Sequence, residues 1–426
     1  MADYTIKKTT SLSPISCQEI EAEVILEGNR VYLLKRDEQG TLYKTLVEKD
    51  PEFYRFLTRN KANTQCLPSI IVMYISSRCN LNCPVCYEYA ADLKEPSLKE
   101  IERLLSGFKK RAISLLGREP TCREDLCEII KIANRHNTAI LSTNGVKLAD
   151  YGYALKLKKS GLKNIFFSFN GFDELIYERM NGMALLDYKL RALENIRRLG
   201  IRTIISATIA RGVNDNQVSK LCRYCFENSS FITELRLRSI TPIGKHLGIE
   251  PYCMSEMADL AGKALGVSRE DLIKEHLFWE ELIKTARLFI PDHLHNFFKP
   301  RLCSVRFHIK DNNGFSPLGR DIDIEKIKRS RLKLPLLAYY LLRNFGVGYI
   351  IDKLCRFINL PTLIKNKKIL GVCLRCWPNI GNLDLEENKK CGSIYYRGDK
   401  GAPFCYSNII ALEKAIKEKN TSDAVH

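Results

Sequence analysis

The rhythm of hydrophobic and polar positions along this chain changes twice. Near the start, EAEVILEGNRVYLLKRDEQGTLYKTL alternates with a period of two. That predicts a short meander of strands turning at Gly28-Asn29 and Gln39-Gly40. EKDPEFYRFLTRN then predicts a helix. From Ser69 the pattern becomes a series of short apolar runs: SIIVMYI (69–75), AISLLG (112–117), AILST (139–143), NIFFSF (164–169), TIISATI (203–209) and ELRLRSI (234–240). Most of these runs suit a parallel sheet buried on both faces. Amphipathic stretches lie between them and predict helices: SLKEIERLLSGFKK, REDLCEIIKIANRH, YALKLKKSG, LLDYKLRALENIRRLG and NQVSKLCRYCFEN. Six βα units in a row predict an α/β fold, a partial barrel with its active site at the C-terminal ends of the strands. After about residue 250 the rhythm stops, and SREDLIKEHLFWEELIKTARLF predicts one or two helices. The expected organisation is a small β-rich unit (1–68), the barrel (69–298) and a C-terminal, cysteine-bearing region (299–426).

Composition narrows the setting. No 20-residue apolar run is present, and MADYTIKKTTSLSP lacks the apolar core of a signal peptide, so the expected location is the cytoplasm. Sixteen cysteines in a reducing compartment point away from disulfides. Clustered ones suggest metal or iron–sulfur ligation, and scattered ones suggest burial as small hydrophobes.

The densest cluster is CNLNCPVCY, with Cys79, Cys83 and Cys86 in the loop after the first barrel strand. Three thiolates on a four-iron cluster leave one iron open for a ligand. The alternative is a zinc site that borrows a distant fourth ligand. Polar motifs end the next strands: GREP (117–120), STNG (142–145) and SFNG (168–171), with Arg211 after strand five in TIARGVND. All fall at strand C-termini.

These residues resemble the radical SAM superfamily over roughly residues 69–245. The resemblance implies a [4Fe-4S] cluster on Cys79, Cys83 and Cys86, with the methionyl amine and carboxylate of S-adenosylmethionine (SAM) on the open iron. Tyr87 is expected near the adenine, and Gly117 and Glu119 at the methionyl ammonium. Ser142 and Asn144 suit a ribose or carboxylate, Asn170 faces the same rim, and Arg211 suits the methionyl carboxylate. The family usually has GGEP where this chain has GREP, so Arg118 puts a bulky cation where glycine is usual.

GREPTCREDLCEI, FFSFNGFDELIYERMNG, LLDYKLRALENIRRLGI and ARGVNDNQV are further similar to the archaeal tetraether synthase family and its bacterial homologues, some of which are associated with pterin methylation. That likeness implies hydrogen abstraction from an unactivated carbon, lipid-tail coupling and an auxiliary cluster. The family's N-terminal Cys-Pro-x-Cys knuckle is here Ser13-Pro14-Ile15-Ser16 followed by Cys17, and the partner knuckle RDEQG has no cysteine. No metal is expected in that unit. Other readings are radical SAM chemistry on a soluble pterin or peptide, and a non-catalytic iron–sulfur module.

The tail has its own thiols. Cys373 and Cys376 form a CxxC, and Cys391 and Cys405 follow; together they are expected to hold an auxiliary [4Fe-4S] cluster or a zinc ion, and the resemblance, whose family has a cysteine at the position of Cys303, implies that Cys303 could replace one of the four. Cys222 and Cys225 read as helix core, and His293 and His295 as surface residues. From Lys326 to Arg375 there are twelve Lys or Arg against one acid, Asp352. RSRLKLPLLAYYLLRNFGVGYIIDKLCRFINL suits either a helix lying on a membrane interface or a buried helix pair with a basic outer face. Its basic residues interleave with aliphatics, so no nucleic-acid partner is expected. The expected partners are an electron donor such as ferredoxin or flavodoxin and a membrane surface or lipid substrate, with the enzyme peripheral at that surface.

Overall fold

The structure is a computed structural model that describes residues 4–59, 70–88, 94–285, 302–311, 315–357, 369–411 and 413. His293 and His295 lie outside the described residues. The N-terminal unit is an antiparallel sheet in the order β1 (Tyr4–Leu12), β2 (Glu19–Glu27), β3 (Arg30–Arg36), β4 (Leu42–Glu48). Gly28 and Asn29 both take positive φ, the two-residue turn that matches strand twist in a hairpin. Helix α1 (Pro51–Thr58) follows, capped by the Asp50 carboxylate, which accepts from the Glu52 and Phe53 N–H groups. In place of the lost thiol knuckles, the Ser13 and Ser16 hydroxyls both donate to Glu38.

The six apolar runs are six parallel strands: β5 (Ile70–Ser76), then, after the two-residue β6 (Val85–Cys86), β7 (Ala112–Gly117), β8 (Thr138–Thr143), β9 (Asn164–Ser168), β10 (Arg202–Ile209) and β11 (Ile232–Ser239). The five expected helices lie between or after them: α2 (Leu98–Ser106), α3 (Leu126–Asn134), α4 (Tyr151–Lys159), then α6 (Leu186–Arg198) and α7 (Val218–Glu227). An unexpected α5 (Glu174–Asn181) precedes α6. The burial of β8 to β10 alternates. Leu141, Phe167 and Ile205 are fully buried in the main core, whereas Ser142, Ser168 and Ser206 line the barrel interior.

Past β11 a two-residue β12 (Lys245–His246) pairs back to β6. Helices α8 (Met254–Leu265) and α9 (Arg269–Thr285) follow. The C-terminal chain is not set apart from the barrel. β13 (Ser304–Asp311), β14 (Phe315–Pro317) and β15 (Ile369–Arg375) extend the sheet beyond β11, and β16 (Ser393–Tyr396) with β17 (Gly401–Pro403) extends it beyond β5. Between them come α10 (Ile324–Arg329), α11 (Lys333–Phe357) and α12 (Leu385–Asn388). α11 breaks at Gly346, whose φ is +71°, so the basic, apolar stretch forms two helical pieces. Among the described residues no helix is long and apolar enough to cross a membrane.

Candidate active site

Cys79, Cys83 and Cys86 line one end of a cavity of about 580 Å³ inside the barrel. Their loop is fixed at several points. β6 pairs with β12, Lys245 Nζ donates to Asn82 Oδ1 (2.8 Å), and Pro84 packs against Gly182, which ends α5 with φ +79°. Two donors already point at sulfur: Leu81 N–H at Cys79 (3.4 Å) and Asn181 Nδ2 at Cys83 (3.2 Å). Burial pushes the Cys79 thiol up to about 12 and the Cys86 thiol up to about 11. Without metal these are protonated thiols; metal binding deprotonates them.

The other sequence-predicted residues divide into two groups. Tyr87, Gly117, Ser142, Asn144 and Asn170 line the same cavity. At Gly117 an added Cβ would sit 2.3 Å from the Ser76 carbonyl oxygen, because the ends of β5 and β7 converge there. Only glycine fits. Arg118 also lines the cavity, and its Nε is buried without a hydrogen bond. Glu119 does not line it. Its carboxylate is filled by Thr121 N–H, the Thr121 and Thr143 hydroxyls and Asn144 N–H, at 2.6 to 3.1 Å. Glu119 therefore ties the GREP turn to the STNG turn from below instead of facing the cavity. Arg211 is turned elsewhere, pairing with Glu256 on α8 (2.9 Å) and stacking on Tyr252.

Sequence reasoning missed several groups. Lys189 of α6 is buried and donates to the Asn144 and Ser168 carbonyls, fastening two strand-end loops together. Burial lowers its pKa to about 8. The inner face of β11 carries Glu234, Arg236 and Arg238. Glu234 is paired with Arg236 (2.5 Å) and Arg306 (3.3 Å), and these two guanidinium groups overcome burial to hold its carboxyl far below the usual range. The period-two charges in ELRLRSI were the available signal.

The auxiliary thiols come from both open edges of the sheet. Cys303 precedes β13 and Cys376 follows β15; Cys391 precedes β16 and Cys405 follows β17. All four line a second cavity of about 340 Å³, and Cys303, Cys391 and Cys405 also line the barrel cavity. Cys376 N–H donates to the Cys303 carbonyl (3.3 Å). Cys373 lies apart from this group. It is buried within β15, in register with Arg236 and Arg306, and lines neither cavity. Of the cysteines named for this site, Cys303 lines both cavities together with Cys391 and Cys405, and Cys373 lines neither. Cys253 also lines the second cavity, with its thiol bonded to Glu48 (3.0 Å). Cys222 and Cys225 are core residues of α7.

Residues 73–225 match the family model of the Radical SAM superfamily. The match covers the triplet loop and strands β7 to β10. Members of this superfamily use a [4Fe-4S] cluster and SAM. The chain is 31% identical over 273 residues to 7,8-dihydro-6-hydroxymethylpterin dimethyltransferase of Methanocaldococcus jannaschii, a match covering 56% of this chain and 54% of that protein. It is 28% identical over 209 residues to a probable GTP 3',8-cyclase of Thermoplasma volcanium, covering 46% of this chain and 64% of that one. The chain thus spans little more than half the length of these curated relatives. Among solved structures, SuiB of Streptococcus suis bound to S-adenosylmethionine aligns with a TM-score of 0.41 at 22% identity, over 46% of this chain and 47% of SuiB. The residues fit the superfamily's cofactors: three thiols, two with hydrogen bonds already aimed at sulfur, open onto a cavity with Ser142, Asn144 and Asn170 in its wall.

Proposed function

We propose that this chain is a radical SAM enzyme acting on a polar substrate held inside its barrel. The observation that carries this reading is the position of Cys79, Cys83 and Cys86 on a cavity also lined by Arg118, Glu234, Arg236, Arg238, Arg306 and Arg375. The cluster and SAM, when bound, would supply a 5'-deoxyadenosyl radical for hydrogen abstraction. The chain's own residues do the rest. The three thiols hold the cluster, Gly117 lets the β7 backbone come close, and Ser142, Asn144 and Asn170 offer hydrogen bonds at the strand ends. Tyr87 packs beside the third thiol. Glu119 and Lys189 hold the loops that carry these groups. Cys303, Cys376, Cys391 and Cys405 form the auxiliary site, placed to bind a second cluster in the wall of the substrate space. A one-electron donor such as ferredoxin or flavodoxin completes the system.

The arginines in the cavity lining and the two relatives, named for a pterin and for GTP, support a soluble substrate over a lipid tail. Tetraether-type coupling draws its support from outside the cavity. Leu332, Leu334, Tyr339 and Leu342 are exposed, beside the exposed basic residues Lys328, Arg329 and Arg331, as on a helix that rests on anionic lipid. Anaerobic reconstitution with iron and sulfide tests the reading. The reduced protein should show a four-iron cluster signal in electron paramagnetic resonance that changes on adding SAM. A signal indifferent to SAM would contradict it.

A further inference from the structure

Four arginines from three neighbouring strands meet inside the barrel with one carboxylate among them. β11 supplies Arg236 and Arg238, β13 supplies Arg306, and β15 supplies Arg375. The register places Arg236 and Arg306 on either side of Cys373, and Arg238 next to Arg375. Glu234 balances the Arg236–Arg306 level through both of its oxygens. One strand repeat nearer the rim, about 7 Å away, Arg238 and Arg375 have no carboxylate partner among the described residues. Arg238 donates to Thr208 Oγ1 (2.7 Å) and lies over Trp377. Arg375 meets the Cys373 thiol, but its Nε is buried and makes no hydrogen bond; the same is true of Arg118 Nε, which also lines the cavity.

Buried guanidinium groups without an anion are costly, and buried donors without acceptors add to that cost. At the triplet the anionic cluster is offset by the sulfonium cation of SAM; an auxiliary cluster would bring negative charge near Arg375, but its sulfurs offer no paired oxygens to the guanidinium forks. A guanidinium fork matches the paired oxygens of a carboxylate or phosphate.

Resting on the radical SAM reading above, we propose that the substrate is a soluble, anionic small molecule whose phosphate or carboxylate group is gripped by Arg238 and Arg375, with Arg118 reaching it from the end of β7. Glu234 holds Arg236 and Arg306 in place beneath that grip. Tyr87, whose ring lies 5.2 Å from the Arg238 guanidinium, sets the anion beside the triplet loop. The remainder of the substrate fills the space walled by Ser142, Phe166 and Ser206.

Calorimetric titration of the reconstituted, SAM-loaded protein with inorganic pyrophosphate tests this. Saturable binding is expected, weakening severalfold as salt rises from about 50 to 200 mM. The Arg238→Gln/Arg375→Gln variant should bind about tenfold or more weakly. If that variant fails to fold, Arg375→Lys, which keeps the charge and loses the fork, should still bind about threefold more weakly. No saturable binding by the wild type, or equal binding by the variants, overturns the proposal. Binding of phosphatidylglycerol vesicles but not pyrophosphate would assign the arginines to a lipid headgroup and overturns it as well. SAM cleavage is scored separately. Anion binding without SAM cleavage upholds the site and contradicts the catalytic reading instead.

Discussion

Tyr87 meets Trp377 edge to face, with ring centroids 5.2 Å apart. Each ring immediately follows a cysteine, Cys86 of the triplet and Cys376 beside the second cavity. The two sites are therefore joined by one aromatic contact, and the Arg238 guanidinium lies 4.6 Å from the Trp377 ring centroid. Trp377 also packs on Phe404, next to Cys405. Trp377→Ala should cost about 2 kcal/mol, below the 3–5 kcal/mol of a fully buried tryptophan because Trp377 is only half-buried. Anaerobic denaturant unfolding of the reconstituted protein measures this. A loss under about 0.5 kcal/mol would show that the contact does not couple the two sites.

The auxiliary ligand set can be decided by two single substitutions. Cys303→Ser should lose iron and sulfide equivalent to one cluster. Cys373→Ser should keep them, because Cys373 faces Arg236 and Arg306 and lines neither cavity. Iron and sulfide analysis after reconstitution separates the cases. Loss of a cluster in Cys373→Ser, with none in Cys303→Ser, would restore the CxxC pairing that the spacing suggests.

The barrel was legible because buried parallel strands read as apolar runs. The six runs fall within two residues of β5 and β7 to β11. The triplet, GREP, STNG and SFNG were legible because each follows such a run directly. The rest depends on long-range pairing. Arg306 and Arg375 reach Arg238 and Arg236 only because β13 and β15 return to β11 after more than sixty residues, and short strands like β16 carry little local signal. Glu119 and Arg211 match motif positions, yet their partners, Thr143, Asn144 and Glu256, come from other elements. Helices α5 and α8 were not anticipated.

Gly117→Ala should be poorly tolerated. Its Cβ would press on the Ser76 carbonyl oxygen, a backbone atom that cannot rotate away. Overpacking of this kind costs about 1–3 kcal/mol. The same shift moves the rim where SAM is expected, so SAM affinity should fall together with the melting temperature. Unchanged SAM binding in a folded variant would show that this strand end does not contribute to cofactor binding.

Glu256 gives the fold a pH signature. Burial pushes its carboxyl up, but hydrogen bonds from Lys49, the Cys253 N–H and Arg211 hold it down to about 2. Its stabilisation is complete above the unfolded value near 4.3 and is lost as pH falls toward 2. After discounting for partial exposure, this is worth about 2 kcal/mol. Between about pH 5 and pH 2.5, the wild type should therefore lose about 2 kcal/mol more than Glu256→Gln. Parallel losses in the two proteins, followed by circular dichroism, would show that the Lys49–Glu256–Arg211 link contributes nothing.

The central claim, radical SAM catalysis at the triplet, is tested most directly by 5'-deoxyadenosine formation. The anaerobically reconstituted wild type, reduced with dithionite in the presence of SAM, should release 5'-deoxyadenosine. The Cys79→Ala/Cys83→Ala/Cys86→Ala variant should release none while keeping the iron of its auxiliary site. A wild type that carries its clusters and yields no 5'-deoxyadenosine, or a triple variant that still yields it, would contradict the assignment.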